Sequence, residues 1–444
     1  KRLVDESVIS ETLPPVSFDY SSFEFNEQWT SFEKESLADV PGTLSSAEWL
    51  DLYGEGIPGL LSDCNGTWYY KSNLGEGKLS HPIPVGERPY PGSMAGLLNI
   101  EGDGTLALIE HTGTLAGASL LDPSGKFQSR CPFKSVPQLN WNLPNVRFMD
   151  LDGDGRSEII VDEGDRLRIY ISEGLSGYKE AIYRYFRKPG EKPRLISKVP
   201  TEAVFAADMT GDGLLDIVRV RFSQVCYWAN LGDGNFGEVI NMNHAPLLCG
   251  MDEFIPENLL FADLDGSGTT DLLYRKGNQV SYYRNCSGLY FEDAFTFYTP
   301  GGAGSRLQFA DVLGTGCNCL VHDSPLITEH IPAYLDVQKS VRPNILKSYC
   351  NGLGSRIDIE YTPSTSYYLK DKASGRKWKT KLPYVVQCMS SVTTEDLVTG
   401  WKKTESYTYH DGCHDSNFRE FRGFGFVEYR EWERGSDGEA NQGV

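Results

Sequence analysis

Residues 150–160 read DLDGDGRSEII. Carboxylates stand at the first, third, fifth and ninth positions (Asp150, Asp152, Asp154, Glu158), and Gly155 at the sixth lets the chain reverse. Five other stretches follow the same template of apolar run, acidic Gly-rich loop, apolar run: DLYGEGIPGLL from Asp51, NIEGDGTLALI from Asn99, DMTGDGLLDIV from Asp208, DLDGSGTTDLL from Asp263 and DVLGTGCNCLV from Asp311. Start-to-start distances are 48, 51, 58, 55 and 48 residues, and Gly occupies the sixth position every time. Recurrence at near-constant spacing marks a repeat architecture.

A second element follows most of these loops: YYKSNLGEGKL (69–79), YISEGLSGYKE (170–180), YWANLGDGNFG (227–237) and YYRNCSGLYFE (282–292). Each reads as an aromatic strand ending at a Gly-rich turn. Glu163-Gly-Asp165 and Lys276-Gly-Asn278 are hairpin signals between the two elements. Each unit therefore holds about four short strands, and helical periodicity is almost absent. Around Lys179–Arg187 alone the pattern is mixed.

A four-strand unit cannot bury both faces of its sheet alone. At about 40–50 residues per unit the natural solution is radial stacking. The expected fold is all-β: a six-bladed β-propeller over residues 1–338 with a β-rich extension at 339–444. The sixth unit lacks an outer strand after YLDVQ (334–338), so LPPVSFDYSSFEF (13–25) is expected to close the ring.

The chain has 444 residues, 40% of them hydrophobic, enough for a substantial core. No apolar run approaches the ~20 residues of a membrane-spanning helix. The formal charge is −19, which repels nucleic acid. Residues 339–403 carry 12 Lys/Arg against 5 Asp/Glu, whereas residues 1–338 carry 26 against 47. The basic cluster Lys370, Lys372, Arg376, Lys377, Lys379 and Lys381 is therefore expected to pack on the acidic propeller. The opening KRLVDESV has neither an initiating Met nor a signal-peptide pattern, as in a fragment or processed product.

Ca²⁺ wants six to eight oxygens at about 2.3–2.6 Å. Asp150, Asp152, Asp154 and Glu158 offer such a shell, as do Asp208, Asp212 and Asp216 with Thr210, and Asp263, Asp265 and Asp271 with Ser267. The other loops are degraded, with Tyr53 or Leu313 at position 3 and Gly59, Ala107 or Cys319 at position 9. A bound ion would stiffen a blade, since a saturated shell leaves no open site. The competing reading makes these loops plain turns, their Asp side chains capping backbone N–H groups.

Ten Cys are scattered without a CxxC pair, and CNC (317–319) is the only close spacing, so metal-finger chemistry is absent. Asn65-Gly-Thr67 and Asn285-Cys-Ser287 fit the glycosylation pattern, consistent with a secreted, extracellular protein. His410 and His414 lie in YHDGCHD beside Cys413 and Asp415, a stretch read as a strand end and loop. No GxSxG elbow, HExxH or P-loop occurs. No catalytic residue is expected.

The loops with YWANLGDGNFG resemble the FG-GAP-type blades of the B component of Tc insecticidal toxins and of SpvB-like virulence proteins. NGLGSRIDIEYTPSTSYYLKDKASGRKWKTKLPYVVQCMSSV (351–392) and YTYHDGCHDSNFREFRGFGFVEY (407–429), with its REFRGFG string (419–425), resemble the segment that opens the Rhs-repeat shell in that family. The resemblance covers roughly residues 14–432. It implies a non-enzymatic role. B and C components form a hollow cocoon around an unfolded effector, and the propeller closes one end, docks onto a pore-forming A component and gates effector passage. The implied partners are thus the A-type and C-type proteins. Neither the domain that precedes the propeller in the family nor the YD-repeat shell is present, so this stretch alone is not expected to form a cocoon. The cysteines and the CNC loop also differ from the bacterial pattern. The alternative is a Ca²⁺-stabilised propeller lectin or integrin-like module, although the eight Trp do not recur at blade spacing.

Overall fold

The computed structural model describes the chain except residues 1, 5–6, 10–11, 43, 88, 90–94, 123, 187–192, 198, 302–304, 324–331, 435–439 and 444. Its described residues form six four-stranded antiparallel sheets and one seven-stranded sheet, with three two-stranded ribbons. Each acidic loop joins the first two strands of a four-stranded sheet. In the third sheet the order is Val146–Met149, Glu158–Asp162, Arg166–Tyr170, Ile182–Tyr185. Its 163–165 turn is a hairpin, and the mixed stretch near Lys179 supplies the outer strand.

Successive sheets share apolar seams. Leu61 and Tyr70 of the first sheet cluster with Leu97 and Leu106 of the second. Leu151, Ile160 and Ile169 of the third meet Ile217 and Trp228 of the fourth. Met209, Val218 and Tyr227 meet Leu259, Leu272 and Phe291 across the next seam, and Leu273, Val280 and Phe297 meet Leu307, Leu320 and Leu335. Val321 and Tyr334 of the sixth sheet then pack with Trp49 of the first and with Phe32. The last sheet thus meets the first and the sheets close a ring, the expected propeller. Each such buried side chain contributes about 1.5–3 kcal/mol.

Closure differs from expectation in one respect. The outer strand of the sixth sheet is Trp29–Ser31, paired with Ala333–Leu335 through Leu335↔Trp29 and Ala333↔Ser31. Residues 13–25 do not supply it. Ser17–Tyr20 pairs instead with Leu346–Cys350 at the edge of the seven-stranded sheet. The reason is packing: Trp29 donates its indole N–H to Tyr298 O (2.9 Å) and joins the seam between the fifth and sixth sheets. Ser17–Tyr20 is exposed along its length. Phe25 does reach the ring, its side chain tilted against Phe295 and Phe297 with centroids 4.4 and 5.2 Å away.

The extension supplies six of the seven strands of that sheet and a ten-residue helix, Ser364–Ala373. The helix starts after extended Pro363 and ends before Gly375 (φ +85°), and it buries Tyr367 and Asp371. All ten cysteines are free, and Cys226, Cys317, Cys319 and Cys388 are buried as small apolar groups. No helix among the described residues is long and apolar enough to cross a membrane.

Candidate cation loops and the face they form

The first residue of each loop makes the turn. Asp150 Oδ2 accepts Gly155 N–H at 2.8 Å, Asp208 accepts Gly213 N–H at 2.8 Å and Asp263 accepts Gly268 N–H at 3.0 Å. Asp51 and Asp311, in loops without acids at the third and ninth positions, accept Gly56 and Gly316 N–H at 2.6 Å each. In the second loop the amide oxygen of Asn99 caps Gly102 N–H at 2.8 Å instead, so a side-chain oxygen holds the turn whether or not an ion binds.

The ninth residue is buried beneath the loop. Glu158 accepts Leu151 N–H (2.9 Å), Asp216 accepts Met209 N–H (2.9 Å) and Asp271 accepts Leu264 N–H (3.1 Å). Burial holds these acids above their ordinary range: Glu158 at about 7, Asp216 at about 6 and Asp271 at about 8. Nearby loop carboxylates push the same way.

Two loops bring three carboxylates close enough to hold a metal ion: Asp150, Asp152 and Glu158, and Asp263, Asp265 and Asp271, with ligand oxygens in each group within 4.8 Å of one another. Asp154 lies beside the first group, its Oδ1 accepting Arg156 N–H at 2.7 Å. In the fourth loop Asp208, Asp212 and Asp216 do not form such a group among the described residues. Thr210 replaces an acid there, and Asp212 caps Leu214 N–H at 2.9 Å. The two groups also differ. An arginine pairs with the third-position acid in both, Arg419 with Asp152 and Arg284 with Asp265, but in the fifth loop Tyr282 also donates to Asp271 at 3.0 Å. Glu158 is 0% exposed, and its Oε1 has no hydrogen-bond partner. An orphaned buried oxygen beside two carboxylates fits a cation ligand, so the 150–158 loop suits a metal ion better.

The loops also form the seat of the extension. Lys372 Nζ lies 2.8 Å from Glu55 in the first loop, and Lys381 Nζ lies 2.8 Å from Asp103 in the second. Gln387 donates to Thr315 O of the sixth loop (2.7 Å), where Thr365 bonds Gly314 O. Arg419 donates to Asp152 O (2.6 Å) and Oδ2 (3.1 Å) in the third. The degraded loops are thus those beneath the helix and residues 382–387. A Cβ on Gly104 would stand 2.2 Å from Pro383 Cβ, and one on Gly316 3.0 Å from Val385. Of the expected basic cluster, Lys372 and Lys381 pair with the propeller, while Arg376 faces Asp371 (3.8 Å) and Asp411 (3.7 Å) inside the extension. Glu55, Asp103 and Arg419 were not singled out from sequence, where Arg419 served only within the REFRGFG string.

His410 is buried and bonds Asp371 Oδ2 through Nδ1 (2.6 Å), and the Trp378 indole N–H reaches the same oxygen (2.7 Å). The cluster fastens helix to sheet beside a polar cavity of about 250 Å³. His414 meets Tyr384 OH at 3.1 Å, and Asp415 caps Asn417 N–H, so the YHDGCHD residues do not converge on one centre.

Residues 293–440 match the family model of the insecticide toxin TcdB middle/N-terminal region, and residues 208–274 match an FG-GAP-like repeat. No curated protein matches the chain. Among solved structures, the Photorhabdus luminescens Tc holotoxin pore is 28% identical over 96% of this chain and 20% of its own, with a TM-score of 0.83. TcdB2–TccC3 is 28% identical over 96% of this chain and 21% of its own, with a TM-score of 0.69. The chain therefore spans about a fifth of the length of these relatives. Ring and extension together are similar to part of a Tc toxin assembly that carries the B component.

Proposed function

We propose that the chain is the propeller-bearing, non-enzymatic part of the B component of a Tc-type toxin-delivery assembly. In that role the ring, residues 1–338, closes an effector-containing cocoon formed with a C-type protein, docks onto a pore-forming A-type protein and gates the effector's passage. Residues 339–444 open the cocoon wall. The observation that carries this reading is a single superposition spanning both ring and extension, at a TM-score of 0.83 over 96% of the chain. An extracellular location belongs to the same proposal.

Ca²⁺ enters as a structural cation. Asp150, Asp152 and Glu158, flanked by Asp154, would hold it in the third sheet, and Asp263, Asp265 and Asp271 in the fifth; Asp208, Asp212 and Asp216 offer a weaker third place. Bound there, the ion supplies rigidity between the first two strands of a sheet.

The test is to mix the purified chain with the pore-forming component of a Tc toxin and follow co-migration by size-exclusion chromatography with light scattering. A stable complex is expected. A chain that stays alone but binds immobilised glycans would replace this reading with the lectin one.

A further inference from the structure

We propose that Arg419 and a divalent cation are rival ligands of the 150–158 loop, so that cation binding releases the tip of the long extension hairpin from the third sheet. This rests on the cation reading above and adds the regulation of that site.

Arg419 sits at the turn between strands Lys402–Asp415 and Glu420–Arg434, in the left-handed region at φ +56°. The tip is ordered by its own contacts. Asp415 caps Asn417 and Phe418 N–H at 3.1 and 3.3 Å, and the Arg422 guanidinium lies 4.9 Å from the centre of the Phe418 ring. From there Arg419 reaches the loop with both terminal nitrogens. One takes the Asp152 carbonyl at 2.6 Å; the other takes Asp152 Oδ2 at 3.1 Å and stands 4.0 Å from Asp154 Oδ2.

Asp152 is also one of the three carboxylates whose oxygens lie within 4.8 Å of one another. The independent pointer to a ligand is Glu158, 0% exposed, with Oε1 lacking any hydrogen-bond partner. The group of carboxylates that contains Glu158 also contains Asp152, whose Oδ2 the guanidinium already takes and whose Oδ1 accepts Asp154 N–H at 3.2 Å. The two positive charges would also stand within a few ångström of each other across a partly buried loop, where repulsion is weakly screened. The fifth loop meets the same demand with Arg284 from its own sheet, so cation binding there would not move the extension. In the third loop the guanidinium arrives from the extension, and antagonism at the loop becomes control of a long-range contact. Linkage makes it reciprocal: whatever factor Arg419 costs the cation, the cation costs the tip. Release would free Phe418 and Phe421, which are already 67% and 41% exposed.

The experiment is calorimetric titration of the full chain with Ca²⁺ alone, in wild type, Arg419→Ala, Arg419→Lys and Glu158→Gln, with hydrogen exchange of residues 416–421 read with and without Ca²⁺. Thermal melts confirm that each variant is folded. Arg419→Ala is expected to bind Ca²⁺ about tenfold more tightly than wild type. Arg419→Lys, which keeps the charge and loses the two-pronged grip, should fall between them. Ca²⁺ should speed exchange of the wild-type tip and leave that of Glu158→Gln unchanged. Equal Ca²⁺ affinity in wild type and Arg419→Ala, or a tip whose exchange ignores bound Ca²⁺, overturns the rivalry while leaving the cation reading intact. Absence of Ca²⁺ binding in every variant removes the cation reading and this inference with it.

Discussion

The sixth-position glycines do two different jobs that the sequence writes identically. Gly104 and Gly213 have nearly the same φ, +84° and +85°, yet a Cβ on Gly104 would meet Pro383 at 2.2 Å while one on Gly213 would meet nothing within 4 Å. Gly213→Ala should cost the left-handed penalty alone, about 1–2 kcal/mol. Gly104→Ala should cost more, because Pro383 must also move, and a pair of thermal melts checks the order. Glu158 gives a second test. Its folded pKa, about 7, lies above the ordinary 4.5, so it favours the fold fully below pH 4.5 and loses that contribution as pH rises through 7. With EDTA present, wild type should lose up to about 3 kcal/mol more than Glu158→Gln between pH 4.5 and 8 in denaturant titrations. The acids themselves were legible from their spacing. That their burial leaves Glu158 with an orphaned oxygen was not, since it depends on which strands cover the loop.

Strands and hairpins were read largely from apolar and aromatic runs bounded by Gly-rich turns, because each sheet repeats one local pattern. The exceptions are segments whose partner is distant. Ser17–Tyr20 and Trp29–Ser31 both have strand character, and nothing local says which joins the ring. The choice is made by Trp29, which packs half-buried against strands some 270–300 residues away. Thr30→Pro removes a ladder donor from the ring and should lower the propeller's melting temperature. Asp19→Pro should disturb only the edge of the extension sheet, raising hydrogen exchange at Leu346–Cys350. The opposite pattern would restore 13–25 as the closing strand. The helix Ser364–Ala373 escaped notice because its apolar residues are too few to mark a 3.6-residue period, and only Pro363 and Gly375 bracket it.

At the scale of the whole molecule the charge step near residue 339 becomes an interface: a basic extension lies on the loop face of an acidic ring. The repeat announced the ring, but not that the degraded loops are the covered ones. Tyr53, Leu313 and Ala107 stand in the loops that hold the extension. Its ion pairs are part-exposed and individually worth about 0.2–1 kcal/mol, so their joint loss in Lys372→Ala/Lys381→Ala should loosen the extension without unfolding the ring. The most direct measurement is zero-length carbodiimide crosslinking of the full chain, mapped by mass spectrometry. Crosslinks Lys372–Glu55 and Lys381–Asp103 are expected, weakening as salt rises. Crosslinks that instead join these lysines to the outer strands of the sheets, or that ignore salt, would contradict an extension seated on the acidic-loop face.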